Sequence, residues 1–246
     1  MDIQLYIDYC NELRHIGQRN KSQQIMNRIN SLFSNINISS YSTQQIQIVV
    51  SRYNENLDWL LPYKNWVIIY NKGKPILNSP FKKIINIENV GRESHTYLYH
   101  IIHNWNNLSD ITLFIQGKIS DHDNILPLKH YLLSNQPITI NLSSNKIYNN
   151  DWNRLTYNKK WQNIIRNNEW RYSKYTFGEW WDKFILKPRP SPSNLKWSPG
   201  GIFSVHKNLI LSKNISFYEN LINTISDHIN PEEGHYFERS WFYIFS

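Results

Sequence analysis

The chain has 246 residues, the usual size of one domain, and 40% of them are hydrophobic, which is enough to form a packed core. This composition excludes a disordered tail and a collagen-like fibre. The 27 Lys and Arg residues exceed the 19 Asp and Glu residues, and the single cysteine excludes a disulfide framework and a zinc finger built from cysteines. The N-terminus lacks a signal peptide and no apolar run approaches the roughly 20 residues that span a bilayer, so we expect a soluble, cytoplasmic protein.

Residues 1–45 are predicted to form a helical N-terminal extension. Two sets of apolar residues recur there at helical spacing. They are Ile3, Tyr6, Ile7, Cys10 and Leu13, and then Ile25, Met26, Ile29, Leu32 and Phe33. The polar stretch Asn35–Gln45 ends the pattern, and a pair of packed helices is the interpretation that we favour over a partner-binding arm.

From Ile46 onward the pattern changes to short apolar runs of strand length. The predicted strands are Ile46–Ser51, Trp66–Tyr70, Lys83–Ile87 and Ile111–Ile115, with a turn into a further strand at Gly200–Val205. An apolar helical stripe separates the third and fourth runs. This alternation predicts βα units, and therefore an α/β domain over residues 46–246 whose mostly parallel sheet is flanked by helices.

A basic, Trp-rich insertion is predicted at about residues 150–196. Between Asp151 and Lys196 lie ten Lys and Arg residues and four acidic residues, which leaves +6 of the chain's net charge of +8 in this segment. The same stretch contains Trp152, Trp161, Trp170, Trp180 and Trp181. Basic side chains that alternate with aromatic rings are typical of proteins that bind single-stranded nucleic acid.

Polar side chains follow each of the first four predicted strands. They are Arg52, Asn54 and Glu55, then Lys72, then Gly91, Arg92, Glu93 and His95, and finally Gln116. Because the carboxyl ends of parallel strands meet at one edge of a sheet, we expect these residues to line one cleft. Gly91 allows a tight turn before a helix N-terminus, and the planar guanidinium of Arg92 suits a phosphate or diphosphate group. An ordinary strand-to-helix turn with a surface arginine is the alternative.

The last helix is predicted to begin at Asn230-Pro231 and to separate two kinds of side chain. Phe237, Trp241, Ile244 and Phe245 form an apolar face. His235, Glu238 and Arg239 share the opposite face, where they provide a metal ligand or a base together with a cationic clamp. A solvated Glu238–Arg239 surface with a partly buried histidine is the alternative interpretation.

A second candidate metal-binding group is Asp121-His122-Asp123. It offers two carboxylates and an imidazole within three residues. Carboxylate oxygens suit Mg²⁺ and Mn²⁺, so Asp121 and His122 are candidate ligands together with His235.

Several motifs occur in a specific order over residues 46–246. They are Val50-Ser-Arg-Tyr-Asn-Glu-Asn-Leu-Asp-Trp-Leu, Tyr70-Asn-Lys-Gly, Asn89-Val-Gly-Arg-Glu-Ser-His-Thr-Tyr-Leu-Tyr-His, Phe114-Ile-Gln-Gly, Asp121-His122, Gly200-Gly-Ile-Phe-Ser-Val and Gly234-His-Tyr-Phe-Glu-Arg-Ser-Trp. In these motifs the chain resembles a family described only as domain of unknown function 3431, known from fungi and some viruses. More distantly, it looks like a nucleotide-sugar glycosyltransferase of the GT-A type, a Rossmann-related fold. The viral members make a virus-associated location the alternative to a cytoplasmic one.

The resemblance to GT-A glycosyltransferases implies sugar transfer from a nucleotide-sugar donor to a hydroxyl of a glycan or protein acceptor. Arg52, Asn54, Glu55 and Arg92 would then hold the nucleotide. Asp121 and His235 would bind a divalent ion, Mn²⁺ or Mg²⁺, that neutralises the leaving diphosphate. Glu238 would be the base, with Arg239 orienting it or the phosphate, and the Trp-rich insertion would form the acceptor wall.

Two other functions are compatible with the same residues. The first is a protein that binds or processes nucleic acid through the Trp-rich insertion. The second is a non-catalytic carbohydrate-binding descendant of the same fold. The chain also departs from the usual GT-A pattern, since the predicted strand Ile111–Ile115 ends in Gln116-Gly117 and not in an acidic pair.

Overall fold

A computed structural model describes most of the chain. The described residues are 37–119, 128–134, 136–140, 152–157, 159–167 and 169–246, together with Gly17, Gln18, Asn20, Lys21, Gln24, Ile25, Asn27, Arg28 and Ser31. Residues from Asn20 to Ser31 in this set are helical, and Ile25 packs against a hydrophobic core. The first N-terminal helix that we predicted, and Asp121 and His122, lie outside the described residues.

Six strands form one sheet in the order β3-β2-β1-β4-β6-β5. Their bounds are β1 Ile46–Arg52, β2 Val67–Asn71, β3 Lys83–Asn86, β4 Ile111–Gln116, β5 Ile138–Ile140 and β6 Phe203–His206. β1 to β4 run parallel, whereas β6 pairs antiparallel with both β4 and β5. The predicted α/β class, with a mostly parallel sheet, is therefore confirmed.

The helices occur in chain order as α1 to α7. Their bounds are α1 Arg92–His103, α2 Leu128–Leu133, α3 Lys159–Arg166, α4 Phe177–Trp180, α5 Lys207–Ile210, α6 Ile215–Ile222 and α7 Glu233–Phe245. A π-helical turn, Trp181–Ile185, continues α4, and short 3₁₀ helices occur at Asp58–Tyr63, Trp105–Asn107, Pro192–Asn194 and Pro199–Gly201. None of the helices in the described ranges combines the length and the apolar character needed to cross a bilayer.

The crossovers differ from the predicted βα alternation in the first half of the sheet. Between β1 and β2 there is a 3₁₀ helix with Pro62 inside it, and between β2 and β3 the described chain contains no helix. Pro75 and Pro80 lie in this second connection, and proline lacks the N–H that a helix interior requires. The helical crossover that we predicted between β3 and β4 is present as α1.

Two hydrophobic cores cover the two faces of the sheet. Successive strand residues point to opposite faces, so Val49 and Phe114 belong to one core, and Ile48 and Leu113 belong to the other. The first core is filled by aromatic side chains of α1, α4 and α7. This arrangement covers the sheet on both sides, as its continuous apolar strands require.

The start of α7 also differs from the prediction. The helix begins at Glu233, because the preceding residues pair with another segment of the chain. The Arg171 N–H donates to the Asn230 carbonyl at 3.1 Å, and the Glu232 N–H donates to the Arg171 carbonyl at 2.9 Å. This short bridge brings the Trp-rich insertion against the N-terminus of α7.

Candidate active site

The sheet order places a topological switch point between β1 and β4. From β1 the chain continues to β2 and β3 on one side, and it then returns to β4 on the other. Ligands of open α/β sheets bind outside the carboxyl ends of the strands at such a point. The loops that follow β1 to β4 meet at this edge, as we predicted from their position.

The turn before α1 has an unusual backbone. Gly91 and Arg92 have φ angles of 59° and 53°, in the left-handed region. Gly91 cannot be replaced easily, because a Cβ there would lie 2.6 Å from the Ile225 carbonyl oxygen. Lys72 fastens the turn, since its Nζ donates to the Val90 carbonyl at 2.5 Å and to the Arg92 carbonyl. Burial lowers the pKa of Lys72 to about 7, although the charge of Glu93 opposes that shift.

Some of the N–H groups that we expected to bind a phosphate at this turn are already hydrogen-bonded within the protein. The Gly91 N–H donates to the His228 carbonyl at 2.8 Å. The side chain of Glu93 accepts its own backbone N–H in the first turn of α1. Two N–H groups of this turn are therefore already paired within the protein, and the cationic side chains at this edge are the clearer candidates to bind an anion.

Arg92 reaches from this turn to α7 and contacts three ionisable side chains. Its Nη1 lies 3.0 Å from His235 Nε2, and its Nη2 lies 3.8 Å from Glu238 Oε1. Its Nε lies 3.7 Å from Glu93 Oε2. Because arginine can only donate, His235 Nε2 is the acceptor, so the ring proton is on Nδ1, 3.9 Å from Glu238 Oε2.

The two carboxylates of this cluster have different electrostatic surroundings. Burial alone would raise the pKa of Glu238, but the nearby His235 imidazole and the charges of Arg92 and Arg239 outweigh it and lower the pKa to about 2. Burial raises the pKa of Glu93, and the nearby charge of Glu238 adds to that rise. Glu93 Oε1 has no hydrogen-bond partner among the described residues.

His235 and Arg239 complete the face of α7 that the helical spacing predicted. Burial, together with the charges of Arg92 and Arg239, lowers the pKa of His235, so the imidazole is neutral at pH 7. Arg239 Nη1 donates to the His235 carbonyl at 2.8 Å, and its guanidinium lies over the Trp197 ring at 4.8 Å. His235 and Glu238 are only 7% exposed. The alternative of a solvated Glu238–Arg239 surface is therefore wrong for Glu238, and Arg239 is half-buried.

Aromatic rings of the Trp-rich insertion cover this charged cluster. Trp161 lies 4.9 Å from the Arg92 guanidinium and 4.6 Å from the His235 ring. Tyr157 and Trp170 pack on the other sides of His235, at 5.6 and 5.4 Å. We did not predict a role for Tyr157, because nothing in its local sequence distinguishes it from the other tyrosines.

Most tryptophans of the insertion belong to the core. Trp180 and Trp181 are fully buried and Trp170 is nearly so, while Trp152 stacks on Phe177 at 4.9 Å. Their faces are covered by neighbouring rings and are not open to a ligand. Of the tryptophans in the expected acceptor wall, Trp152 and Trp161 are half-buried, and Trp161 borders the charged cluster. Trp197, which lies just after the insertion, also borders the cluster.

The residues after β1 brace the loops at this edge. Arg52 donates to Asn71 Oδ1 at 2.5 Å and to the carbonyls of Glu55, at 3.0 Å, and Lys74, at 3.1 Å. Asn54 Oδ1 accepts the Lys74 N–H, and Glu55 Oε2 accepts the Tyr53 N–H. Arg52, Asn54 and Glu55 therefore stabilise the loop after β1, and none of these hydrogen bonds reaches Arg92.

Gln116 and His95 complete the set of predicted ligand-binding residues. Gln116 ends β4 and is half-buried. His95 is buried in the first turns of α1, and burial, followed by the charge of Lys72, lowers its pKa to about 4. His95 is therefore neutral at pH 7 and next to the lysine that holds the turn.

The described residues do not form the expected metal site at His235. Its Nε2 accepts from a guanidinium, so a cation at that nitrogen would meet the positive charge of Arg92. The described part of the chain also contains no group of three or more His, Cys, Asp or Glu side chains that could hold a metal ion. We derive no step of the chemistry through a metal at His235.

A family model described as "Protein of unknown function (DUF3431)" matches residues 48–246. The match includes the sheet, α1, the Trp-rich insertion and α7. It thus contains all the described residues of the charged cluster. Searches of curated proteins and of solved structures gave no match.

Proposed function

We propose a function from the premise that this chain belongs to the DUF3431 family, whose description names no activity. The proposed function is that of a glycosyltransferase similar to the GT-A type. It would bind a nucleotide sugar through its diphosphate at Arg92 and Arg239, and transfer the sugar to a hydroxyl acceptor. The GT-A likeness itself is part of this proposal.

The buried cluster of charges is the observation that carries the proposal. It contains the cations Lys72, Arg92 and Arg239, the carboxylates Glu93 and Glu238, and a neutral His235. Arg92 and Arg239 together with Glu238 leave one excess positive charge, while Lys72 and Glu93, whose pKa values are both shifted towards neutrality, carry opposite charges that cancel when both are ionised. In a water-excluded site, an anionic ligand compensates that charge far more effectively than solvent would.

The position of the cluster supports a nucleotide as that anion. The cluster lies outside the carboxyl ends of parallel strands, beside a topological switch point, where open α/β sheets bind nucleotides. Arg92 can bind two phosphate oxygens at once because its guanidinium is planar. Trp161 and Trp197 border the guanidinium groups and provide faces on which a sugar or a base can stack.

We assign the proton-accepting role to Glu93 and not to Glu238. A carboxylate with a pKa of about 2, as Glu238 has, binds a proton too weakly to be an effective base at pH 7. Glu93 has a raised pKa and a free oxygen, so it would accept the proton of the acceptor hydroxyl. The acceptor oxygen forms the new bond to the anomeric carbon, and the bond to the diphosphate breaks with its electron pair on the phosphate oxygen. Arg92 and Arg239 stabilise that developing charge.

The test is a thermal-shift screen of nucleoside diphosphates and nucleotide sugars, each with and without Mn²⁺. We expect at least one nucleotide to raise the Tm, because a ligand that binds only the folded state stabilises it. The Arg92→Ala variant should lose this shift. Arg166→Ala is the matched control, since Arg166 is exposed on α3 and its replacement removes the same charge.

Three outcomes of the thermal-shift screen would contradict the proposal. The first is indifference of the wild-type protein to all nucleotides, and the second is an equal shift in Arg92→Ala. The third is a shift by oligonucleotides alone, which would favour the nucleic-acid alternative. Nucleotide binding without release of nucleoside diphosphate in the presence of glycan acceptors would indicate the non-catalytic alternative.

A further inference from the structure

A cavity lies next to the bridge between Arg171 and Pro231, on the side away from the candidate active site. Its volume is roughly 340 Å³, and it is formed by the Trp-rich insertion, the end of α6 and the start of α7. Trp170 packs on His235, whereas the next residue, Arg171, lines this cavity. The bridge between Arg171 and Pro231 therefore separates the two sites.

The charges that line the cavity cancel. Arg171 Nε lies 3.0 Å from Asp227 Oδ1, and Arg171 Nη2 lies 3.0 Å from Glu233 Oε2. The same nitrogen donates to the Thr224 carbonyl at 2.8 Å. Lys174 and Arg171 balance Asp227 and Glu233, so the lining carries no net charge.

The remaining lining combines amides with aromatic groups. Asn220 and Asn223 are exposed at the C-terminal end of α6, and each offers a donor and an acceptor. Tyr175 is half-buried and presents its ring between the ammonium groups of Lys183 and Lys174, at 4.8 and 5.8 Å. Phe184 is half-buried and completes the aromatic lining, whereas Trp180, which packs against Phe184 at 5.8 Å, is fully buried.

The lining of the cavity disfavours three classes of ligand: anions, cations and apolar molecules. An anion would meet the carboxylates of Asp227 and Glu233, and a cation would meet Arg171. An apolar ligand would leave the two asparagine amides without partners, at a cost of about 1–3 kcal/mol for each group that becomes buried. A sugar ring suits the lining, because each hydroxyl both donates and accepts while the C–H face packs on an aromatic ring.

We propose that this cavity is a binding site for an uncharged saccharide, separate from the candidate active site. The inference goes beyond sugar transfer, since the cavity would bind a saccharide whether or not the protein is an enzyme. A surface site of this kind would hold a glycan close to the charged cluster, because both sites share the segment around Trp170 and Arg171.

The test is saturation-transfer NMR on the full chain with the methyl glycosides of glucose, galactose, mannose and N-acetylglucosamine. We expect saturable binding of at least one glycoside that excess uridine diphosphate does not displace. The double variant N220L/N223L should weaken that binding at least tenfold. The control is N106L/N107L, which makes the same change at exposed asparagines that line a different cavity.

The result that overturns the site is no saturable binding of any of the four glycosides. Equal binding by N220L/N223L and by the wild type would also overturn it, as would displacement by uridine diphosphate. The Tm of each variant is measured alongside its binding. The replaced asparagines are exposed, so we expect the variants to keep the Tm of the wild type, and a loss of binding is then not a loss of folding. Failure of the nucleotide screen would leave this result unaffected.

Discussion

Arg92 shows how one residue sets the geometry of the charged cluster. A non-glycine residue in the left-handed region costs of the order of 1 kcal/mol or more, and it persists only where its surroundings hold it. Lys72 supplies that restraint through the carbonyls of Val90 and Arg92. The resulting direction of the side chain brings its guanidinium to His235 and Glu238, which lie on a different element.

At the same scale, Glu93 and Glu238 should respond differently to removal of their charge. We expect Glu93→Gln to bind the donor nucleotide as well as the wild type does and to lose at least 100-fold in kcat, because the proton acceptor is gone. Glu238→Gln should instead raise the donor KM or Kd about tenfold, because Arg92 and His235 lose the carboxylate that orients them. Steady-state kinetics and nucleotide titration of both variants make the comparison.

The reverse pattern would return the role of base to Glu238, as the sequence analysis had assigned it. Glu169→Gln is a suitable control for both variants, because it makes the same change at an exposed carboxylate of the Trp-rich insertion. It should change neither constant.

At the scale of the element, a buried carboxylate just before α7 joins the Trp-rich insertion to that helix, in addition to the bridge through Arg171. Glu232 is fully buried and accepts the Tyr157 hydroxyl at 2.8 Å and the Ser173 N–H at 2.9 Å. Arg154 adds a longer ion pair at 3.7 Å. These contacts keep Trp161 and Trp170 over His235, so the insertion and the charged cluster form one unit.

Removal of this carboxylate should release the insertion without unfolding the sheet. We expect Glu232→Ala to lose about 1–3 kcal/mol of stability, because the Tyr157 hydroxyl and the Ser173 N–H lose their buried acceptor. Hydrogen exchange should accelerate in peptides from residues 152–173 and stay unchanged in β1 and β4.

The matched control is Glu179→Ala, an exposed carboxylate of the same insertion that caps α4. Uniform acceleration of exchange across the whole domain in Glu232→Ala would show that the carboxylate supports the entire fold and not the insertion alone.

Some helices and strands were predicted from the sequence more accurately than others. The four parallel strands were predicted within one residue at each end, because their apolar runs are local features, and α1 was predicted as an apolar helical stripe without bounds. β5 was missed because it has only three residues, Ile138–Ile140. The start of α7 was misplaced because the pairing of Asn230 and Glu232 with Arg171 depends on a distant segment.

At the scale of the whole molecule, the free energy of unfolding depends on pH through a histidine in the core. His100 is fully buried in α1, and its Nδ1 lies 3.0 Å from the Tyr70 hydroxyl. Burial, followed by the charge of Lys83, lowers the pKa of His100 to about 3. In the unfolded chain this histidine binds a proton below pH ~6.5, whereas in the folded chain it stays neutral until the pH approaches its folded pKa. The unfolded state therefore binds more protons over this range, and the stability of the fold decreases as the pH falls.

We expect His100 alone to remove about 2 kcal/mol of unfolding free energy between pH 7 and pH 5. In His100→Asn the difference between the two pH values should shrink by that amount, whatever the stability of the variant at pH 7. Urea unfolding at both pH values measures it. His103→Asn, a change at an exposed histidine of the same helix, should leave the difference as in the wild type.

Local patterns along the chain were enough to predict the α/β class, the parallel strands and the shared face of His235, Glu238 and Arg239, because periods of two and 3.6 residues are local properties. They also predicted four polar loops at one edge, because the direction of parallel strands decides where their ends meet. They did not predict that Arg92 contacts His235 across 143 residues while Arg52 binds Asn71, because folding alone brings these distant segments together. The tryptophans of the insertion were likewise assigned to the core by packing, since a ring's exposure depends on segments distant in the chain.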